Sequence, residues 1–228
     1  MQLHPGFSYR VDHVGDELQP VLVVDNFLAE PHSLIEFCVG NLKFNRADAF
    51  YPGVRAPAPD VYLKAVYLYL KDIIYSTFAI DDSVVKSAQA DYSMVLTPVD
   101  QLKLAQCIPH YDSLITTELA AVHYLCKEDQ GGTSLYRHRK TGFEYLDSGR
   151  VATYAETLKE EIRVGTYRRQ YMNGSNHLFE QIASYDAVFN RIIIYRCTSL
   201  HSGNIGSDFQ FDANPLTGRL TINTFIGG

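Results

Sequence analysis

The feature that most constrains the fold of this chain is a change of texture near residue 91. From there on, short segments rich in Val, Ile, Thr and Tyr alternate with breaks of Gly, Asp, Asn and Ser. Six of them read as strands: "YSMVLT" (92–97), "KLAQCIPHYD" (103–112), "LAAVHYLC" (119–126), "TSLYRH" (133–138), "RIIIYRC" (191–197) and "RLTINTFI" (219–226). β-branched and aromatic residues fit a pleated, half-buried surface, and the breaks supply turns. Many short strands after a helical beginning predict an α+β chain whose sheets close into a barrel or jelly roll.

The part before residue 91 has a different rhythm. "PVLVVDNFLAEP" predicts a buried strand at Val21 to Val24, then a helix over about 31–42 with Pro31 in its first turn. "FYPGVRAPAP" carries three prolines and a glycine, so an irregular, stiff loop is expected. Asp60 reads as the N-cap of an amphipathic helix over 61–78. With 228 residues and no low-complexity tract, the expectation is one domain, 1–228. Within it, 1–90 forms a helical support region and 91–228 the β core. A helical insertion at about 139–187 interrupts that core.

Charge excludes some functions. Formal net charge is −6 and no basic run tracks phosphates, so nucleic acid is not expected as a partner. No apolar run is long enough to cross a bilayer and no signal-like h-region is present, so a cytoplasmic protein without membrane contact is expected. Cys38, Cys107, Cys126 and Cys197 are widely spaced without a CxxC pair, and read as reduced core thiols.

The chemistry begins at "IPHYDS". On an extended segment His110 and Asp112 project to one side while Tyr111 points away. This is either a surface pair or half of a metal site. His201, just past the strand 191–197, is placed to complete it. Two imidazoles and one carboxylate on one face of an ion are the ligand set of non-haem Fe(II) oxygenases, and zinc takes the same three groups. Arg219 and Thr221 share a strand face, where a guanidinium can grip a carboxylate through two parallel hydrogen bonds. The carboxylate is that of a ligand or of an internal Asp or Glu.

Taken in order, these stretches resemble the 2-oxoglutarate and Fe(II)-dependent oxygenases, prolyl-hydroxylase-like branch, over about residues 20–30 and 100–226. "LVVDNFL" resembles the opening strand of that branch, and "IPHYD" its His-x-Asp. "AAVHYLCKEDQGGTSLY" is similar to its strand ending in a Gly-Gly turn, "NRIIIYRCTSLHSG" to the strand before the distal histidine, and "GRLTINTF" to the co-substrate strand. The resemblance implies a double-stranded β-helix (jelly-roll) core with flanking N-terminal helices. It implies Fe(II) on His110, Asp112 and His201, and 2-oxoglutarate held by Arg219 and Thr221 with a hydrogen bond from Tyr124. It implies a dioxygenase that hydroxylates a small molecule or an amino-acid side chain. The alternatives are a binding protein of this fold that turns nothing over, and a zinc hydrolase.

Four further expectations concern single features. His123 points away from Tyr124 towards a flanking helix. His138 and His177 are structural or solvated. Arg55, on the stiff loop, either closes over a cavity or is solvated. The insertion either forms a lid presenting Tyr154, Tyr167, Arg168, Arg169 and Tyr171, or is a cap on a sheet face.

Overall fold

The computed structural model describes residues 1–47, 51–165 and 168–227; Phe50 of the proline-rich stretch and Tyr167 of the insertion lie outside them. Along the chain the elements are β1 (Ser8–Val14), β2 (Gln19–Asp25), α1 (His32–Asn41), β3 (Asn45–Arg46), β4 (Gly53–Pro57), α2 (Asp60–Phe78), β5 (Ser87–Val95), β6 (Leu119–Tyr124), β7 (Thr133–His138), α3 (Val151–Val164), β8 (Phe179–Tyr185), β9 (Ile192–Arg196), β10 (His201–Gly203) and β11 (Leu220–Gly227). The fold is α+β. Eight strands in the order β1-β2-β9-β6-β11-β5-β4-β3 form one antiparallel sheet, and β10-β7-β8 form a second.

Alternation along the central strands explains the layers. On β9, Ile192 and Ile194 join the core under α1 and α2, whereas Ile193 and Tyr195 face the smaller sheet. On β6, Leu119 and Ala121 point one way and Ala120, Val122 and Tyr124 the other. Both faces are buried, so these strands read as continuous apolar runs rather than half-polar ones. Leu34, Ile35 and Cys38 of α1 and Tyr62, Leu70 and Ile74 of α2 cover the outer face of the large sheet. α3 covers the small sheet instead, through Tyr154 and Leu158 against Tyr136 and Phe179.

Several expectations require correction. Residues 103–112 form no strand: a 3-10 turn occupies Leu104–Gln106, and His110 makes a single bridge. The proline-rich stretch is not irregular, because Gly53–Pro57 pairs with β5. Its prolines are tolerated since β3 reaches only Val54 and Arg55, leaving Pro57 beyond that partner where no ladder donor is required. Asp60 is the first helical residue of α2, with Pro59 at the cap position. The region 1–90 is not only helical, for it supplies β1 to β4 and the start of β5. The insertion is not wholly helical either, since Phe179–Tyr185 is a strand that completes the small sheet against β7. No helix among the described residues is long and apolar enough to cross a membrane.

Candidate metal centre

Two separate chain segments, one carrying His110 and Asp112 and the other His201, bring the predicted ligands together. His110 and His201 exchange both backbone hydrogen bonds, at 2.9 and 2.8 Å, as an isolated antiparallel pair. Residues directly opposite in such a pair present their side chains on one face. Their rings are accordingly 4.3 Å apart between centroids. Two residues on, at a bend in the chain, the Asp112 amide donates to the Cys197 carbonyl at 2.8 Å, and the carboxylate returns to the same side. Asp112 Oδ1 lies 3.8 Å from His110 Nε2, and Asp112 Oδ2 lies 3.4 Å from His201 Nε2.

One donor atom from each of the three residues lies within 4.8 Å of the others. With metal–ligand bonds of about 2.1 Å, two atoms on one ion are at most about 4.2 Å apart. Both measured nitrogen–oxygen separations fall inside that limit, and the set of two imidazoles and one carboxylate suits a divalent transition metal. His201 Nδ1 lies 2.9 Å from the Ser199 carbonyl, which holds the proton on that nitrogen and leaves the Nε2 lone pair facing Asp112. His201 is buried and packs against Tyr195, ring centroids 4.7 Å apart.

The His110 side chain is 46% exposed, at the cavity mouth. Desolvation by the surrounding protein, then the His201 imidazole, lowers its pKa; Asp112 opposes this and Arg55 adds to it. Solvent at its outer edge moderates the burial contribution. The net direction keeps the ring neutral, as a metal ligand must be.

Behind the cluster lies an inner chamber of about 90 Å³ bordered by His110, Asp112, His201, Arg219, Asn223 and Thr133. In front lies a cavity of about 780 Å³. Arg219 is buried. Its Nη2 donates to the Gly132 carbonyl at 3.0 Å, while its Nε has no hydrogen-bond partner among the described residues. Among the described residues no carboxylate lies within 4.0 Å of it. An internal Asp or Glu among those residues therefore does not account for this charge. The Gly131–Gly132 turn makes the approach possible: Gly131 has φ +73°, and a Cβ on Gly132 would collide with the Tyr185 carbonyl.

Thr221 and Tyr124 sit one layer back. The Thr221 hydroxyl lies 2.9 Å from Asn223 Oδ1, and it is Asn223 that borders the chamber. The Tyr124 hydroxyl donates to Thr133 Oγ1 at 2.8 Å, and Thr133 borders the chamber. Burial pushes the Tyr124 phenol up to about 12 against the pull of Arg219, so it stays a donor. The residues missed in the sequence are thus Asn223 and Thr133. Asn223 was legible as the next position on the face that Arg219 and Thr221 share, whereas Thr133 comes from a distant segment.

The other single features fall as follows. His123 stacks on Tyr62 of α2, centroids 5.7 Å apart, and lies 3.2 Å from Asn190 Oδ1. His138 is buried against Glu161 and Thr141. Burial raises the Cys38, Cys126 and Cys197 thiols. Of the insertion residues, Tyr154 borders the outer cavity and Tyr171 the inner chamber, whereas Arg169 bonds the Asp100 carbonyl at the surface.

This site and fold define an α+β protein with a cavity between two sheets and a two-histidine, one-carboxylate cluster inside it. The chain belongs to DUF6445, a family of unknown function, whose profile matches residues 5–226. No curated protein matches it in sequence. Among solved structures it is similar to the non-heme alpha-ketoglutarate-dependent epimerase SnoN from nogalamycin biosynthesis, with 10% identity over 90% of this chain and 76% of that one, TM-score 0.49. HygX from Streptomyces hygroscopicus, with nickel and 2-oxoglutarate bound, gives 12% identity over 91% and 82%, TM-score 0.46. AviO1 from Streptomyces viridochromogenes Tue57 gives 12% identity over 98% and 90%, TM-score 0.43.

Proposed function

We propose that this protein is an Fe(II)- and 2-oxoglutarate-dependent oxygenase. The observation that carries the proposal is the juxtaposition of the His110–Asp112–His201 cluster with Arg219, a buried cation with no acidic partner among the described residues, on one chamber. An unpaired buried charge is costly, so a ligand carboxylate is the natural complement. The facing large and small sheets, with His201 on the smaller, support the double-stranded β-helix reading.

His110, Asp112 and His201 would hold Fe(II), and Arg219 would bind the distal carboxylate of 2-oxoglutarate. Fe(II) with 2-oxoglutarate and O2 supplies the oxidation: one oxygen atom enters the substrate C–H bond as hydroxyl, the other enters succinate, and CO2 leaves. The protein's own contribution is orientation. Ser199 fixes the His201 tautomer, the Cys197 carbonyl fixes Asp112, and the Gly132 carbonyl aims the Arg219 fork. Asn223, steadied by Thr221, and Thr133, steadied by Tyr124, offer further hydrogen bonds at the chamber wall. A chamber of about 90 Å³ suits the co-substrate, leaving the larger cavity for the substrate.

The test is calorimetric titration of 2-oxoglutarate into protein loaded with Co(II), followed by succinate measurement with Fe(II) in air. Metal-dependent 2-oxoglutarate binding and slow succinate formation, both lost in His201→Ala, are expected. Metal binding without any 2-oxoglutarate uptake would leave a metal-binding protein and overturn the oxygenase reading.

A further inference from the structure

A second arginine borders the same site and is not among the residues assigned above to iron or 2-oxoglutarate. Arg55 lies on β4, and strand register carries it into the cavity: Arg55 pairs with Ser93, Ser93 with Thr221, and Thr221 with Tyr124. Directly paired residues share a sheet face, so these four form one row across β4, β5, β11 and β6. Val54 packs on the core beneath the helices, and Ala56 pairs with Tyr92, whose hydroxyl donates to the Leu34 carbonyl of α1, so Arg55 between them takes the opposite face. Arg55 borders both the inner chamber and the outer cavity and so stands at the threshold between them.

Its surroundings hold the guanidinium in place without neutralising it. The guanidinium carbon lies 4.6 Å from the centroid of the Tyr51 ring and 6.0 Å from that of Phe225. Nε is buried and has no hydrogen-bond partner among the described residues. Among the described residues no carboxylate lies within 4.0 Å of it, in contrast to Arg137, Arg150 and Arg191, which are met by Glu144, Glu17 and Asp25. Arg196, which has no carboxylate there either, instead donates to the Thr116 and Phe78 carbonyls. Aromatic faces stabilise a cation modestly but carry no net charge to offset it.

We propose that Arg55 binds a carboxylate of the primary substrate, which makes that substrate an amphiphilic organic monoacid; this rests on the oxygenase reading of the cluster. A planar fork matches a carboxylate in two parallel hydrogen bonds. Asp112 and Glu118 also border the outer cavity, so a doubly charged phosphate meets more repulsion there than a singly charged acid. Ile108, Tyr111, Tyr154 and Phe225 supply the apolar and aromatic wall for the rest of the molecule. Anchoring the acid at the threshold directs the body of the substrate along the outer cavity, past His110 and Asp112.

The test uses ligand-observed NMR on Co(II)-loaded protein saturated with 2-oxoglutarate, with 3-phenylpropionate, 3-phenylpropionamide and phenethyl phosphate as probes. The carboxylate should bind at least about ten-fold more tightly than the amide, the size of a charge-assisted contact, and more tightly than the phosphate. Arg55→Gln should abolish that preference and leave 2-oxoglutarate affinity unchanged, while Arg55→Lys keeps part of it. A parent protein that binds the acid no better than the amide overturns the proposal, as does a preference that survives Arg55→Gln. So does phosphate binding more tightly than the carboxylate, or loss of 2-oxoglutarate affinity in Arg55→Gln, which would make Arg55 a co-substrate clamp. Should the Co(II) protein take up no 2-oxoglutarate, the oxygenase reading fails separately, and the acid–amide comparison on the Co(II) protein still decides Arg55.

Discussion

His110 and His201, 91 positions apart in the chain, are bound backbone to backbone by two reciprocal hydrogen bonds of 2.9 and 2.8 Å. The candidate metal centre is therefore assembled by main-chain pairing, with the imidazoles following from it. Replacing a ligand side chain should remove metal affinity while leaving this backbone pair in place. For Asp112→Ala we expect metal affinity to fall by more than about 100-fold, beyond the range of indirect, outer-shell changes, with little change in melting temperature. Metal titration with scanning calorimetry on the same variant checks both.

Arg219 gives a prediction with two signs. Arg219→Lys keeps charge but loses the fork, so 2-oxoglutarate affinity should drop even though Lys reaches the same chamber. Arg219→Met removes a buried cation that has no acidic partner among the described residues, so the ligand-free protein should be as stable as the parent or more so. Denaturant unfolding without 2-oxoglutarate checks the second sign; marked destabilisation would mean the charge has a protein partner.

Thr221→Val should cost less than either Arg219 change, roughly 1 kcal/mol in 2-oxoglutarate affinity. Its hydroxyl bonds Asn223 rather than the chamber, so Asn223→Ala in the Thr221→Val background should add less than it does alone. A double-mutant cycle on affinity measures this coupling, and strict additivity would contradict it.

His123 makes stability depend on pH. Burial between β6 and α2 lowers its pKa to about 4, against the hydrogen bond to Asn190. An unfolded histidine titrates near 6.5 and takes up a proton before the folded one, so the stability contribution of the neutral ring is present above about 6.5. It is lost as pH falls towards 4, by roughly 3 kcal/mol in all. His123→Gln should flatten that slope; urea unfolding of parent and variant at several pH values between 4 and 7 shows whether it does.

Gly132→Ala should destabilise the fold by roughly 1–3 kcal/mol, because its Cβ meets the Tyr185 carbonyl, and should disturb the carbonyl that aims Arg219. Urea unfolding gives the first effect and 2-oxoglutarate titration the second. An alanine variant indistinguishable from the parent would mean that β7 and β8 have room to separate there.

The sequence by itself determined the elements whose residues interact with near neighbours or carry a strong period. The buried runs of β2, β6 and β9, the amphipathic α2, and the shared face of Thr221 and Asn223 on β11 with Arg219 just before it are written in spacing and alternation. The pairing of His110 with Asp112 was legible in their spacing, although the structure achieves it at a bend held by the Cys197 carbonyl rather than along a strand. Only the tertiary structure decided the rest. The polar edge strand β1 and the proline-bearing β4 exist because partners 5 to 42 residues away accept their hydrogen bonds. Likewise Phe179–Tyr185 is a strand because β7 has a free side. Arg55 reaches the site through a register spanning four strands, and Tyr124 and Thr221 stand behind Thr133 and Asn223 because depth in a cavity depends on which sheet lies opposite. Periodicity records which face a residue takes; what that face meets is set by contacts between segments that local sequence does not encode.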